Sequence, residues 1–235
     1  MKKIIICALL LMGLSVLTIG QNTRLQQIGI GEKIGDFTLK SYQGDTYSMS
    51  DLIGKKNVLL IFPRGKVLDN LWCPLCYYQY AEISAYEKLN NLSKKYDLEI
   101  LFILPYVKDS ITSWQSAAQK GLNTIEKWKN PAGYETLTGG VREWADYVRE
   151  FYPQTFDFKG EKMPLTIPVL MDEDQLVSKA LALYTNEWGG TKTFQNIPTV
   201  YLIDKTGKVR FKYHSQYTND RPNAEYIHEY LEKMF

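Results

Sequence analysis

The chain has 235 residues, 45% of them hydrophobic and 23% charged, with a formal net charge of +2. These proportions suit a globular domain with a core of moderate size and exclude a disordered, low-complexity or repeat protein. No Lys/Arg block marks a surface for nucleic acid or anionic lipid.

Residues 1–20 read as a secretory signal peptide. Lys2 and Lys3 give a basic start, Ile4 to Leu17 an apolar run, and Thr18-Ile19-Gly20 small residues for cleavage. The run is short against the roughly 20 residues of a membrane span. Export to the periplasm or another space outside the cytoplasm is therefore the expectation, and an uncleaved N-terminal anchor the alternative. Cleavage removes two lysines, which brings the formal charge to zero, and it removes Cys7. Cys73 and Cys76 are then the thiols of the mature chain, in a setting where disulfides persist.

Residues 21–30 form a polar lead-in. Residues 31–235 form one domain, with an insertion at about 105–165. Asp36-Phe37-Thr38-Leu39 and Thr46-Tyr47-Ser48 flank Gln43-Gly44-Asp45 and predict a hairpin, with Ser50 capping a turn at Asp51-Leu52. Val58 to Phe62 is a continuous apolar run, the mark of a central strand buried on both faces. After Cys76 a helical stripe runs through Tyr78, Ala81, Ala85, Leu89, Leu92 and Tyr96, and Glu99 to Leu104 is the next strand. Strand, long helix and strand imply a right-handed crossover and a parallel pair. In the insertion, Ile111 to Trp128 is helix-like, and Asn130-Pro131 with Gly133 breaks it. Val141, Trp144, Ala145, Val148 and Tyr152 then form a second helical stripe. Ile167 to Met171 predicts a strand and Asp172 to Tyr184 a helix. Thr199 to Ile203 and Lys208 to Tyr213 are strands joined by the turn Asp204-Lys205-Thr206-Gly207. Pro222 to Met234 closes the chain as a helix with proline in its first turn. The order implies an α/β sheet with helices on both faces.

Trp72-Cys73-Pro74-Leu75-Cys76 carries the chemistry. A strand leading into a helix puts Cys73 at the helix N-terminus, where free N–H groups and the positive dipole end stabilise a thiolate. Such cysteines have pKa values of roughly 3.5 to 7.5, against about 8.5 when free. Cys73 would attack a partner disulfide, and Cys76, partly shielded one turn on, would resolve the mixed disulfide. Pro74 suits a first helical turn. This scheme needs no cofactor. A zinc site normally takes four ligands, and His214 and His228 lie far from the pair in sequence. A structural bridge over two residues constrains little chain. Glu82, two turns into the helix, is a weak candidate for a proton shuttle and reads first as a solvated glutamate.

These residues together resemble the thioredoxin fold, and more narrowly the alkyl hydroperoxide reductase/thiol-specific antioxidant (AhpC/TSA, redoxin) group and its secreted thioredoxin-like relatives. The resemblance runs from Gly31 to the end, apart from the insertion. It is carried by Gly35-Asp36-Phe37-Thr38-Leu39, Gly44, Ser50-Asp51-Leu52, Trp72 to Cys76, Pro168 to Asp172, and Ile197-Pro198-Thr199 with Val200 to Asp204. It implies a thioredoxin-like three-layer sandwich with a mixed sheet, an N-terminal β-hairpin and an aromatic-rich helical insertion. It also implies a cis Ile197–Pro198 bond lying against the cysteine pair, with the adjoining backbone pairing to a substrate segment; the plainer reading of Pro198 is the start of an edge strand.

The group holds both thiol–disulfide exchangers and peroxidases. Its peroxidases carry Pro-x-x-x-Thr-x-x-Cys, and here Asn70 stands three before Cys73 while Lys66 to Leu71 looks inserted. Arg64, in Phe62-Pro63-Arg64-Gly65, resembles an arginine that relatives place near the motif, and it would favour the thiolate; its other reading is a solvated loop arginine. Exchange with protein thiols and disulfides, supported by an external electron donor or acceptor, is the first expectation. Reduction of small hydroperoxides is the alternative, and a copper-handling protein using both thiolates with His214 the third. The insertion crowds Trp114, Trp128, Tyr134, Trp144, Tyr147, Phe151, Tyr152, Phe156 and Phe158. It reads as a satellite core on the sheet edge, or as a substrate or dimer surface.

Overall fold

The computed structural model describes residues 27–235, so the leader expected at residues 1–20 lies outside the described residues. The first hairpin forms as predicted, from β1 (Thr38–Ser41) and β2 (Thr46–Ser48). The short helix α1 (Met49–Leu52) has Ser48 as its N-cap. Ser50 falls inside it and donates its N–H to Asp36 Oδ1 at 2.9 Å. Next come β3 (Asn57–Phe62), a small hairpin of β4 (Lys66–Leu68) and β5 (Leu71–Trp72), α2 (Pro74–Asn90), α3 (Leu92–Lys95) and β6 (Leu98–Leu104). The stretch that looked inserted before the cysteines is thus a hairpin in its own right.

The later insertion supplies α4 (Lys108–Lys129), a 3-10 turn at Tyr134–Thr136 and α5 (Gly140–Phe151). Then follow β7 (Val169–Met171), α6 (Leu176–Ala180), β8 (Tyr184–Thr185), β9 (Gln195–Asn196), β10 (Thr199–Ile203), β11 (Val209–His214) and α7 (Ala224–Met234). Seven strands form one mixed sheet in the order β11-β10-β3-β6-β7-β1-β2. β3, β6 and β7 run parallel, and β10, β11, β1 and β2 are added antiparallel at the two sides.

Every residue of β3 is buried, because side chains alternate between two covered faces. Leu59 and Ile61 join the core shared with α2, α4 and α7; Val58, Leu60 and Phe62 join the core with Met49, Val177 and Leu181, under α1 and α6. The three-layer sandwich follows from that alternation. The aromatic insertion is no separate satellite. Trp114 stacks on Tyr77 of α2 with centroids 5.5 Å apart, and Tyr152 and Phe156 meet Tyr78 edge-on. These rings belong to, or pack directly on, the main core.

Three helix predictions are corrected. α2 does not bury a single stripe: Leu75 through Ile83 are buried without a break, while Ala85 and Leu89 face solvent. Its first half is wedged between the sheet, α4 and α7, so no face is free. Asn91, at φ 51°, ends it, and α3 returns Leu92 and Tyr96 to the core. The helix expected from Asp172 to Tyr184 shrinks to α6. Asp172 turns its carboxylate onto the N–H groups of Val177 (3.2 Å) and Ser178 (2.8 Å), and Gln175 and Ala182 take positive φ on either side. Pro222 lies just before α7, whose N-cap is Asn223, accepting the Tyr226 N–H at 2.8 Å.

The α2–α4 contact supplies a stability test. A Cβ on Gly121 would stand 2.3 Å from Cδ2 of Tyr77, a ring pinned on its other side by Trp114. Alanine gains about 1 kcal/mol over glycine inside a helix, but forced overpacking costs about 1–3 kcal/mol. Gly121→Ala is expected to lower stability in urea denaturation; an increase would show that the Tyr77 ring can give way.

Candidate active site

β5 ends at Trp72 and α2 begins at Pro74, which leaves Cys73 as the N-cap, with φ −67° and ψ 116°. The Cys73 N–H donates to Gly65 O at 2.9 Å, and the Cys76 N–H donates to Cys73 O at 3.1 Å. The first bond brings Arg64 back beside the cysteines across the intervening hairpin. Gly65 has to be glycine: its φ is +81°, and a Cβ there would lie 2.5 Å from the Tyr106 hydroxyl. That hydroxyl accepts the Lys66 N–H, and the Tyr106 ring meets Trp72 edge-on at 5.1 Å. Trp72 and Pro74 therefore shape the entry to the helix, as the motif suggested.

Both thiols are reduced and adjacent. The Cys76 thiol beside it is the largest influence drawing Cys73 down to a pKa of about 5. Burial opposes it. The guanidiniums of Arg221 and Arg64 then add to the lowering, followed by the Cys76 N–H. That N–H, the helix-end contribution expected from the sequence, comes last, and it donates to Cys73 O, so no helix N–H caps the sulfur itself. Cys76 is pushed well above its ordinary range by burial and by the neighbouring thiolate. One acidic and one reluctant thiol side by side is an arrangement that can support thiol–disulfide chemistry.

Arg64 is not a solvated loop arginine. It is buried, and its Nε donates to Gln195 Oε1 at 2.5 Å, its Nη2 to Thr191 Oγ1 at 2.7 Å and to Trp188 O at 3.0 Å. A second arginine, absent from the motif, also reaches the sulfur. Arg221, between β11 and α7, donates from Nη2 to Cys73 Sγ at 3.5 Å. It stands 148 residues after Cys73, outside any motif, and no local signal marks it.

Several expectations change here. Cys73 is not open to attack: it is only 3% exposed, and Cys76 is fully covered. A partner therefore reaches the sulfur only after a neighbour shifts. Every peptide bond among the described residues is trans, Ile197–Pro198 included. Trans is the ground state of such a bond, and the backbone is satisfied in it: Ile197 N–H donates to Leu183 O at 2.8 Å, and Pro198 O accepts Ser215 N–H at 2.9 Å. Pro198 stands just before β10, which is paired on both sides by β11 and β3, so it does not start an edge strand either; Arg221 and Gln79 line one small gap with it. His214 turns Nδ1 to Thr199 Oγ1 and Nε2 to Gln27, and the described residues contain no cluster of three potential metal-binding side chains. The copper reading loses its third ligand. Glu82 is not solvated either. The start of α7 lands on it, Ala224 N–H donates to its Oε2 at 3.3 Å, and burial pushes its pKa up to about 7.

Residues 30–212 match the AhpC/TSA family. Among solved structures, the chain is similar to reduced 2-Cys peroxiredoxin of Plasmodium vivax, at 15% identity and TM-score 0.54, over 87% of this chain and 95% of that one. AhpC of Mycobacterium bovis aligns at 13% identity and TM-score 0.54, over 89% and 99%. A mutant PrxQ of Xylella fastidiosa aligns at 12% identity and TM-score 0.52, over 89% and 96%. No curated protein matches the chain in sequence. At these identities the structural likeness speaks for the fold.

Two measurements test the electrostatics. Arg221→Gln is expected to raise the Cys73 pKa from about 5, read by the ultraviolet absorbance of the thiolate against pH; an unmoved midpoint would remove Arg221 from the site. For Glu82 the folded pKa lies above its ordinary value of 4.5. The native state then binds more protons between about 4.5 and 7, so stability falls as pH rises through that window. Glu82→Gln should gain on the parent across it, on the order of 2 kcal/mol, in denaturation at matched pH.

Proposed function

Because the chain belongs to the AhpC/TSA family, and is an oxidoreductase working through thiols, we propose that it is a thiol–disulfide oxidoreductase cycling Cys73 and Cys76 between dithiol and disulfide. The observation that carries this reading is the pair of free cysteines at the start of α2, with Cys73 at its N-cap and the Arg221 guanidinium 3.5 Å from its sulfur. The Cys73 thiolate attacks one sulfur of a partner disulfide, forms a mixed disulfide and expels the partner's other sulfur as thiolate. That leaving thiolate takes the proton of Cys76. Cys76 then attacks Cys73 Sγ, closes the intramolecular disulfide and expels the second partner sulfur as a thiolate, which takes its proton from water. Two electrons pass to the partner, and an external dithiol returns them. The basic and apolar start of residues 1–20 supports a place outside the cytoplasm for this reaction.

A second reading is favoured by one observation. Cys73 is buried beneath Arg221, a cover that admits a small molecule more readily than a protein. In that case the thiolate attacks a hydroperoxide oxygen, the O–O bond breaks and an alcohol leaves. The resulting sulfenic acid condenses with Cys76 to the same disulfide and water. Asn70 in place of the family's threonine weighs against it.

Reduced protein mixed with a disulfide-bonded protein, and separately with a hydroperoxide, distinguishes the two by which mixture oxidises the cysteine pair faster. Cys73→Ser should abolish the reaction, and Cys76→Ser should accumulate the mixed disulfide. Full activity in Cys73→Ser would overturn both readings.

A further inference from the structure

The insertion takes no part in the steps above, yet it touches the thiol site through two hydroxyls. Tyr147 of α5 and Tyr152, the residue that ends α5, both donate to the backbone carbonyl of Asn219, at 2.9 and 2.6 Å. Asn219 lies two residues before Arg221 in the strap that joins β11 to α7. We propose that Tyr147 and Tyr152 are positioning residues for Cys73: by gripping the strap at Asn219 they hold the Arg221 guanidinium against the sulfur.

The strap has few other holds. Ser215 N–H is tied to Pro198 O at its start, and Ala224 N–H to Glu82 at its end. From Tyr217 to Pro222, the hydrogen bonds that leave the strap among the described residues are the two tyrosine bonds and the one from Arg221 to Cys73. Inside it, Arg221 Nη1 donates to Thr218 O at 2.5 Å, so the guanidinium is referenced to the strap's own backbone. Its Nε is buried without a partner and supplies no competing anchor. Arg221 therefore goes where the strap goes. The contact with Sγ is 3.5 Å, an ordinary N–H to sulfur separation, and through the strap it follows any displacement of Asn219.

The grip is stiff. A carbonyl offers two lone pairs, and here both are taken. Tyr152 is buried and set edge-on against Tyr78 at 5.1 Å; Tyr147 is stacked between Trp144 and Phe151, at 5.5 and 4.5 Å. The crowding of aromatic residues in the insertion thus acquires a use: it fixes the direction of two hydroxyls.

The inference rests on Cys73 being the attacking thiol, and its test is separate from that of the reaction. Tyr147→Phe with Tyr152→Phe keeps both rings and removes both donors. Thiolate absorbance against pH should then show the Cys73 midpoint rising by about one pKa unit, with about a tenfold smaller thiolate fraction below it. In an Arg221→Gln background the same pair of changes should add little, because all three act through one guanidinium. An unchanged midpoint in a double variant with parental near-ultraviolet circular dichroism would overturn the proposal, as would a shift that adds in full to that of Arg221→Gln. If the double variant folds poorly, Tyr147→Phe alone, at a half-buried ring, should give a smaller rise in the same direction, because Tyr152 still holds the carbonyl, and no rise would overturn the proposal. None of these outcomes depends on whether the thiolate meets a disulfide or a peroxide, whereas retained activity in Cys73→Ser would end the functional reading alone.

Discussion

A buried thiolate is the constraint that the rest of the site answers. Taking a charge out of water is costly, and it survives only where hydrogen bonds and opposite charge replace the solvent. Cys73 has the Cys76 thiol beside it, the guanidinium of Arg221 at 3.5 Å and the field of Arg64. These come from four places in the chain: the first turn of α2, the loop after β3, and the strap before α7, with the β8–β9 segment steering Arg64 through Gln195 and Thr191. Burial and activation are therefore the same arrangement. The groups that make the sulfur a nucleophile also cover it.

That arrangement depends on α2 being packed on all sides over its first two turns. A helix with one wet face could present Cys73 but could not gather partners from both its flanks. The sheet supplies one wall, α4 another and α7 a third. The insertion turns what would be an exposed helix flank into interior, and so Tyr77 and Tyr78 are buried beside the cysteines rather than at the surface.

The frame of this fold is legible in the sequence, because it is written in local patterns. β3, β6, β10 and β11 are short apolar or alternating runs, α4 and α5 carry helical spacing, and the Trp72–Cys76 motif sits on the strand-to-helix junction it names. What escapes is whatever depends on a distant partner. Leu89 has the spacing of a core residue yet is 80% exposed, because α2 outruns the elements that cover it. Glu82 has the chemistry of a surface residue yet is buried, because α7 begins on top of it. Asp172 ends a predicted helix by capping a shorter one. Arg221 has no neighbours in sequence that speak of sulfur, and only the return of the chain from β11 to α7 brings it to Cys73. Arg64 was half legible: its neighbours suggested the role, and the hairpin that separates it from the cysteines hid the means.

That hairpin is worth following back to its neck. Between Gly65 and Cys73 the chain walks away from the sulfurs and returns, and the Cys73 amide meets the Gly65 carbonyl at 2.9 Å where the excursion closes. At the tip, Leu68 and Leu71 face solvent. The backbone is thereby divided into a sealed base, which keeps Arg64 and Cys73 in register, and an outer end that leans back on the frame of the thiol site, through Val67 packed on the core and Asp69 accepting the Thr193 hydroxyl at 3.3 Å.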